Sequence, residues 1–336
     1  MKTAVVILNY NTEHYLRQFL PTLQRSLEGL DAAVVVADNA SQDGSVAVMR
    51  EEFPSVQLIT LDKNYGFTGG YNRALAQLEA EYFVLINSDI EVPEHWLEPL
   101  VDWMDAHPDC AACGPKLLSY HKRSQFEYAG AAGGLLDSLG YPFCRGRVLQ
   151  HIEEDHGQYD TPAQVLWVSG ACLMVRASRW REAGGLDERF FAHMEEIDLC
   201  WRLRLQGWSV WMVPSSWVYH IGGGTLPNES PFKLRLNFRN NLLMLQNNLP
   251  ATLGSTFRAR VRLFMRMCLD GASALVYLLK GQKESFRAVV QAHQEYRKLR
   301  HPWAKVSGKA IPVCGLYKGW ILPAALLKKD YFVGRL

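Results

Sequence analysis

Apolar, β-branched runs alternate with amphipathic patterns along the first 115 residues. The apolar runs occupy residues 4–10, 32–38, 56–61 and 82–87. Apolar side chains at the three- and four-residue spacing of a helix fill residues 13–27, 45–53 and 69–80. This order predicts an α/β fold with an open, mostly parallel sheet and helices on both faces. In such folds, ligands bind at the carboxyl edge of the sheet.

The pattern changes in the second half of the chain. Residues 116–165 are irregular and rich in glycine, and a buried strand is predicted over residues 163–176. A helix is predicted from about residue 193 to 206, and from about residue 230 the chain is predicted to be helical to its end. We therefore expect a catalytic domain and a basic, mostly helical C-terminal region, spanning residues 1–228 and 229–336.

Charge is distributed unevenly along the chain. Residues 1–225 carry 17 basic and 29 acidic side chains, whereas residues 226–336 carry 19 basic and 5 acidic ones. This asymmetry indicates two parts with different partners, although a solvated basic helical surface would also produce it.

Basic side chains of the C-terminal region alternate with apolar and aromatic ones. They are Arg258, Arg260, Arg262 and Arg266 among Phe257, Val261, Phe264 and Met265, followed by Trp320, Lys328, Lys329 and Tyr331. This pattern favours contact with an anionic membrane surface. The alternatives are packing on the catalytic domain or formation of a homodimer. Nucleic acid is not favoured as a partner, because no binding motif accompanies the charge.

Neither a secretory signal nor a membrane span is predicted. The opening residues, MKTAVVILNYN, fit a first strand. Asp270 interrupts the apolar stretch 267–279, and Lys318 with two prolines interrupts 311–327. The seven scattered cysteines fit a reducing compartment, and the C-x-x-C at Cys110 fits an apolar strand better than a zinc or redox site. We expect a cytoplasmic protein, peripheral at the inner face of the plasma membrane.

Polar motifs follow the second, third and fourth predicted strands. Asp38 could accept hydrogen bonds from a base or ribose, or shape a polar turn. The glycine-rich stretch 64–75 opens a helix and carries Arg73, which favours a phosphate. It is neither a Walker loop nor a dinucleotide fingerprint. The turn from Asn87 to Asp89 suits Mg²⁺ or Mn²⁺, or caps a helix. His220 could complete that metal site or be structural.

Three carboxylates fall within one predicted helix, in the stretch FFAHMEEIDLCWR. Asp198 and Arg202 have the spacing of a structural ion pair. Glu195 and Glu196 fall in the first turn, where the helix dipole stabilises negative charge. They could cap the helix, or one of them could act as a general base.

Seven motifs occur in an order that resembles family 2 inverting glycosyltransferases of the GT-A fold, and within them the bacterial polysaccharide and rhamnosyltransferase-like enzymes. The motifs, spread over residues 3–245, are VVILNYN, VADNASQDGS, NYGFTGGYNRAL, INSDI, GGLDERFF, EEIDLCWRL and VYHIGGGT.

The resemblance implies a role for each of these sites. The nucleotide-binding residues would be Asn9, Tyr10, Asn11, Asp38, Asn39, Asn64, Gly66, Gly70, Asn72, Arg73 and Ser88. Asp89 and His220 would hold the divalent metal, Ser169 and Gly170 would contact the acceptor, and Glu196, or else Glu195, would be the base.

Two departures from the family pattern bear on the chemistry. The usual Asp-x-Asp is here Asn87-Ser88-Asp89, so one carboxylate is missing from the metal site. The base is Glu where Asp is commoner, and we favour Glu196 over Glu195 for this role.

The resemblance implies transfer of a sugar from a UDP- or dTDP-sugar, with inversion, to a saccharide acceptor that is itself lipid-linked, in bacterial cell-surface polysaccharide synthesis. The alternatives are a nucleotidyltransferase and a catalytically silent, nucleotide-sugar-binding or membrane-anchored assembly subunit. A nucleotidyltransferase would carry a glycine-rich basic loop after strand one, where this chain has NYNTEHY.

Overall fold

A central β-sheet runs through the molecule in the computed structural model, which describes residues 1–222, 230–306 and 308–322. The strands are β1 (Thr3–Asn9), β2 (Ala32–Asp38), β3 (Gln57–Thr60), β4 (Tyr82–Ile86), β5 (Ile90–Glu91), β6 (Cys110–Ser119), β7 (Gly134–Leu136), β8 (Pro142–Cys144), β9 (Arg147–Val148), β10 (His151–Ile152), β11 (Ala163–Gln164), β12 (Cys172–Arg176) and β13 (Ser209–His220). In the central sheet their order is β11-β13-β6-β12-β4-β1-β2-β3, with β5 beside β13.

Helices cover both faces of this sheet. They are α1 (Glu13–Arg25), α2 (Ser45–Glu51), α3 (Gly66–Leu75), α4 (Glu98–Ala106), α5 (Ala177–Ala183), α6 (Glu195–Leu205), α7 (Pro231–Leu253), α8 (Thr256–Leu279) and α9 (Lys283–Leu299). One large apolar cluster is buried on each face of the sheet. The predicted α/β fold with a C-terminal helical extension is confirmed.

Parallel pairing of β3, β2, β1 and β4 brings the strand-end motifs to one edge. Strands β1, β2 and β4 are almost entirely apolar, as strands buried on both faces are, whereas β3 at the sheet edge is largely exposed. Asn9 pairs with Asp38, and Asp38 pairs with Thr60, so the polar turns that follow these strands lie side by side.

The other half of the sheet departs from the predicted pattern. The strand predicted over 163–176 is wrong between residues 165 and 171: Ala163–Gln164 pairs with β13, whereas β12 lies antiparallel between β4 and β6. The chain therefore passes from the edge of the sheet at β11 to the middle of the sheet at β12. The last connecting residues, Ser169–Ala171, lie beside the carboxyl edge of β4. Strand β13 ends with His220 paired to Ile90 of β5, which brings this histidine close to Asp89.

A small antiparallel sheet of strands β7–β10 lies beside β6. It is joined to the rest of the molecule by a bridge between Gly134 and Trp167 and by the Leu117 amide, which donates to the Ala131 carbonyl. This small sheet and helix α7 lie next to the part of the carboxyl edge that is farthest from β1–β3.

The C-terminal region begins with helices α7, α8 and α9, which pack on one another and, through α7, on α6. The prediction of helix to the chain end is wrong for residues 301–306 and 308–320. That segment returns over the small sheet, where Leu316 bridges to Leu136 and the Tyr317 amide donates to the Leu136 carbonyl. Within the described residues, the structure contains no helix long and apolar enough to cross a membrane.

Candidate active site

A cavity of about 870 Å³ opens at the carboxyl edge of the sheet. The predicted site residues that line it are Tyr10, Asn39, Asn64, Gly66, Ser88, Asp89, Ser169, Gly170, Glu195, Glu196 and His220. These come from seven separate segments of the chain. The fold therefore gathers candidate base, metal and nucleotide-binding groups around one space.

Residues of the first two strand-end turns brace one another. The Asn9 side chain donates to Asp38 (2.9 Å) and accepts from the Thr12 hydroxyl (2.5 Å), whose oxygen lies 2.9 Å from the Ser88 hydroxyl. The second oxygen of Asp38 accepts from the Ser41 amide. Asn9 and Asp38 are buried and lie behind the cavity wall, so they shape the turns while Tyr10 and Thr12 face the cavity.

A second set of contacts forms the side of the cavity that the sequence predicts to bind the nucleotide. The Asn39 amide group donates to the side chain of Asn64 and to the carbonyl of Gly66, both at 3.0 Å. Gly66 has a φ of 69°, and a Cβ there would lie 2.5 Å from the Phe191 carbonyl oxygen. A side chain is therefore excluded at Gly66 both by conformation and by space.

Besides Asn9 and Asp38, four further predicted nucleotide-binding residues do not line the cavity: Asn11, Gly70, Asn72 and Arg73. Asn11 accepts from the Gln42 amide. Asn72 both donates to and accepts from the backbone of Leu186. Arg73 pairs with Glu188 at 2.8 Å. Asn72 and Arg73 thus tie α3 to the segment before α6, and a direct role in nucleotide binding stays a prediction for all four.

Asp89, His220 and Glu127 form a buried row at the centre of the edge. His220 Nε2 lies 3.3 Å from Asp89 Oδ1, and His220 Nδ1 lies 3.4 Å from Glu127 Oε1. Burial alone would lower the pKa of His220, but the two carboxylates raise it to about 10. Burial would raise the pKa of Asp89, but the hydrogen bond and charge of His220 hold it below its ordinary value.

The sequence analysis did not find Glu127. It falls in a glycine-rich, irregular stretch, where it resembles any surface acid, although its side chain is 7% exposed. Only the pairing of β6 with β13 brings it next to His220.

The donors at this point fit a divalent ion that shares its coordination with substrate. Asp89 offers a carboxylate and Ser88 a hydroxyl at the cavity wall, and His220 would offer an imidazole nitrogen once a bound ion displaced its proton. The described residues contain no group of three or more His, Cys, Asp or Glu side chains arranged to hold a metal. A site this poor in protein ligands matches the way Mg²⁺ binds through one or two carboxylates, waters and substrate phosphates.

The two glutamates at the start of α6 differ in exposure. Glu195 is 4% exposed, and burial followed by the charge of Glu196 raises its pKa well above the ordinary value. Glu196 is half-buried at the cavity wall, and burial raises its pKa to about 7. One carboxylate oxygen of each lacks a hydrogen-bond partner among the described residues. Glu196 is the better placed to exchange a proton with a ligand.

Asp198 has the structural role that the sequence analysis predicted, an ion pair with Arg202. Its carboxylate is fully buried and accepts from Arg202 at 2.7 Å. Asn247 and Asn248 of α7 also donate to it. These contacts fix α6 against α7.

The loop before α6 is conformationally strained. Phe191, His193 and Met194 all have positive φ, between 64° and 73°, which non-glycine residues seldom adopt. Asn240 of α7 holds this loop: its side-chain nitrogen lies 2.8–2.9 Å from the carbonyls of Phe190, Ala192 and His193. Arg239 donates to the Phe190 carbonyl as well. Helix α7 thereby fixes the position at which α6 begins, and with it the positions of Glu195 and Glu196.

Replacing Asn240 with alanine should lower kcat by about 10- to 100-fold, because loss of the clamp lets the loop relax and moves Glu196. The protein should also lose about 1–3 kcal/mol of unfolding free energy, since buried carbonyls lose their donor. Gln246→Ala is the matched control, because Gln246 is buried on the same helix but bonds to His301 and Tyr296. Equal losses of kcat in the two variants, measured in a transfer assay, would contradict the clamp.

The far side of the cavity is broad and partly aromatic. Ser169 and Gly170 lie at the crossing between β11 and β12, where a Cβ on Gly170 would lie 3.5 Å from that of Glu196. Side chains of the small sheet, α7 and α8 complete the wall: Tyr128, Tyr141, Arg147, Ile152, Phe232, Phe238, Asn241 and Arg266. This space adjoins Glu196 and lies away from the ends of β1–β3.

The fold is that of the GT-A glycosyltransferases, and the glutamates at the start of α6 line the same cavity as Asp89. The sequence profile of glycosyl transferase family 2 matches residues 4–161. Residues 4–161, just under half of the chain, are therefore similar to this family, which supports a glycosyltransferase.

Two relatives are similar to this chain in sequence, and a solved structure shares its fold. The chain is 29% identical over 231 residues to the N-acetylglucosaminyl-diphospho-decaprenol L-rhamnosyltransferase of Mycobacterium tuberculosis, covering 64% of this chain and 75% of the relative. It is 27% identical over 232 residues to the succinoglycan biosynthesis protein ExoA of Rhizobium meliloti, covering 67% and 65%. A mannosyltransferase from Pyrobaculum calidifontis, solved with GDP-mannose and Mn²⁺, shares the fold with a TM-score of 0.53 at 12% identity, covering 88% and 87%.

Proposed function

We propose that this glycosyltransferase moves a sugar, with inversion, from a nucleoside diphosphate sugar to a lipid-linked saccharide in cell-surface polysaccharide synthesis. The observation that carries the proposal is the position of Glu196. Its carboxylate lies at the wall of the cavity that also contains the predicted nucleotide-binding residues Asn39 and Asn64 and the carboxylate of Asp89.

The chemistry is a single displacement. Glu196 accepts the proton of the acceptor hydroxyl while that oxygen bonds to the anomeric carbon. The bond from this carbon to the diphosphate breaks on the opposite face, and the nucleoside diphosphate leaves with the electron pair. Attack opposite the leaving group inverts the anomeric centre. A base with a pKa near 7 is half ionised at neutral pH, as proton exchange requires.

The donor side is assigned to the turns around β1–β4. Tyr10, Asn39, Asn64 and Gly66 would contact the nucleotide. Asp89 and His220 would hold Mg²⁺ or Mn²⁺, with Ser88 beside them. When bound, the ion supplies positive charge that stabilises the departing diphosphate.

The choice of sugar and acceptor rests on the relatives. The Mycobacterium tuberculosis protein is named as a rhamnosyltransferase acting on a diphospho-lipid-linked N-acetylglucosamine. We infer a deoxyhexosyl or hexosyl donor carried by dTDP or UDP and a diphospho-lipid-linked acceptor. The broad space next to Ser169 and Gly170 supports an acceptor larger than one hydroxyl-bearing sugar.

A panel of nucleotide sugars tests the proposal. Purified protein is incubated with Mn²⁺, Mg²⁺ or EDTA, with UDP-, dTDP- and GDP-sugars and with a diphosphate-linked N-acetylglucosamine carrying an alkyl chain. Turnover of one donor, abolished by EDTA, supports it. Nucleotide binding without turnover of any donor would instead support a silent nucleotide-sugar-binding subunit.

We also infer that α8 rests on an anionic membrane surface. Its outward face bears large apolar side chains, which are Phe257, Val261, Phe264, Met265, Leu275, Val276, Leu278 and Leu279. Arg258 and Arg260 are exposed at the N-terminal end of the same helix, so cations accompany the apolar stripe. Such a helix, about 36 Å long at 1.5 Å per residue, suits the interface between headgroups and acyl chains.

Arg266 was predicted to belong to this basic surface, and that prediction is wrong. Its side chain is 5% exposed, pairs with Asp270 at 2.8 Å and lines the cavity. The residues Lys328, Lys329 and Tyr331 lie outside the described part of the chain. Helix α8 thus contributes one side chain to the cavity and presents the opposite face outward, which would bring a lipid-linked acceptor to the site.

The double substitution Phe257→Glu and Phe264→Glu should weaken binding to phosphatidylglycerol vesicles by about 10²-fold or more, because two large apolar side chains no longer enter the interface. Vesicle flotation measures the effect. Val290→Glu is the control, since Val290 is an exposed apolar residue on α9 and outside this face. Unchanged flotation of the double variant would exclude α8 as the membrane contact.

A further inference from the structure

One buried arginine of the cavity has no carboxylate partner within the part of the chain that the structure describes. Arg147, on β9 of the small sheet, is 6% exposed and lines the cavity. Its Nε donates to the Tyr128 carbonyl at 2.7 Å, and its Nη2 lies 3.4 Å from the sulfur of Cys144. The guanidinium carbon lies 4.6 Å from the centre of the Tyr128 ring. Among the described residues, no hydrogen bond is made by Nη1 and no acid lies within ion-pair distance.

The other buried arginines of this region have either an acid partner or several hydrogen-bond acceptors. Arg266, in the same cavity wall, has the carboxylate of Asp270. Arg204 donates to the carbonyls of Val165 and Val210 and to the Gln164 side chain, away from the cavity. Burying a guanidinium without a counter-charge is unfavourable unless an anion supplies one. Arg147 is thus the cavity arginine that a bound anion would complete.

The position of Arg147 assigns the anion to the acceptor side. Strands β7–β10 adjoin β6, which is separated by β12 and β4 from the strands β1–β3 that form the nucleotide side. The backbone of Tyr128, which anchors Arg147, follows Glu127, and Glu127 contacts His220. The guanidinium is therefore held near the reaction centre but across it from Asn39 and Asn64.

We propose that Arg147 binds a phosphate of the acceptor, so that the diphosphate joining the saccharide to its lipid is recognised within the cavity. This inference rests on the proposed function and names a residue for its acceptor. Arginine forms bidentate bonds to phosphate oxygens, and the anchored Nε leaves the Nη groups for the ligand. The ring of Tyr128, 44% exposed, supports the guanidinium from one face.

The diphosphate of the donor could also bind an arginine, so two probes distinguish it from the diphosphate of the acceptor. Calorimetry measures binding of decyl diphosphate, which stands for the acceptor's lipid end, and of UDP with Mn²⁺, which stands for the donor's leaving group. Arg147→Gln should weaken decyl diphosphate by about 10- to 100-fold and leave UDP unchanged. Arg147→Lys, which keeps the charge, should recover part of the loss.

Arg145→Gln is the matched control. Arg145 precedes the same strand, stacks on Tyr159 at 4.9 Å and does not line the cavity, so both probes should bind it as they bind the original protein. Melting temperatures verify that each variant is folded.

Failure of decyl diphosphate to bind the unsubstituted protein, or weaker UDP binding by Arg147→Gln, would overturn the proposal. These are binding measurements, so they do not depend on turnover. Absence of turnover with every donor would reject the proposed function, whereas the calorimetric results alone decide whether Arg147 binds the phosphate.

Discussion

Replacing Glu196 with glutamine should lower the rate of sugar transfer by about 10²- to 10⁴-fold, the contribution of a positioned general base. Glutamine keeps the shape of the side chain but cannot take a proton. Nucleotide binding should be unchanged, since Glu196 lies at the start of α6 and the nucleotide is assigned to the turns around β1–β3. Steady-state transfer kinetics and calorimetry with UDP and dTDP measure the two quantities.

The pH dependence of the unsubstituted enzyme checks the same assignment. The base acts only when deprotonated, so kcat/KM should fall tenfold per pH unit below the pKa of Glu196, which is about 7 in the absence of ligands. This limb should vanish from the residual activity of Glu196→Gln. Glu195→Gln is the control, because Glu195 is more deeply buried. A larger loss in Glu195→Gln than in Glu196→Gln would move the base to Glu195.

Replacing Asp89 with asparagine should lower kcat/KM by about 10²-fold or more, because a divalent ion at this point is expected to contribute several kcal/mol to charge stabilisation. The change removes the only carboxylate of the Asn87-Ser88-Asp89 turn. Binding of UDP or dTDP should lose its dependence on Mn²⁺, which calorimetry with and without the ion detects.

Asp62→Asn controls for a general loss of negative charge. Asp62 accepts from the Tyr65 hydroxyl on the loop before α3 and does not line the cavity. Its substitution should leave Mn²⁺-dependent nucleotide binding unchanged. If Asp89→Asn kept that dependence, Asp89 and His220 would not be the metal site.

Much of the site could be predicted from sequence because local patterns fix strand ends. The runs that become β1, β2 and β4 are buried on both faces, and each is followed directly by a polar motif. Parallel pairing then forces Asn9, Asp38 and Asp89 to one edge, whatever the details of the loops. Asp198 and Arg202 were predicted to pair from spacing alone, and they do.

The remaining features depend on contacts between distant segments. The role of Glu127 becomes visible only from its contact with His220. Arg147 reaches the cavity only because it lies in a sheet of two- and three-residue strands, which the sequence does not predict. Asn240 contacts a loop that lies 47–50 residues earlier in the chain. Apolar periodicity does not report such partners. Arg266 differs, because its partner Asp270 is only four residues away on the same helix. The burial of this pair, however, depends on the distant carbonyls of Leu139 and Gly140, which accept from Arg266.

The configuration of the product tests the central claim most directly. With the donor that the panel identifies, the anomeric configuration of the new glycosidic bond is read from its NMR coupling constants and compared with that of the donor sugar. A single displacement assisted by Glu196 predicts the opposite configuration in every product molecule. Retention of the donor's configuration would contradict the account, since it would require a second displacement and a different role for Glu196.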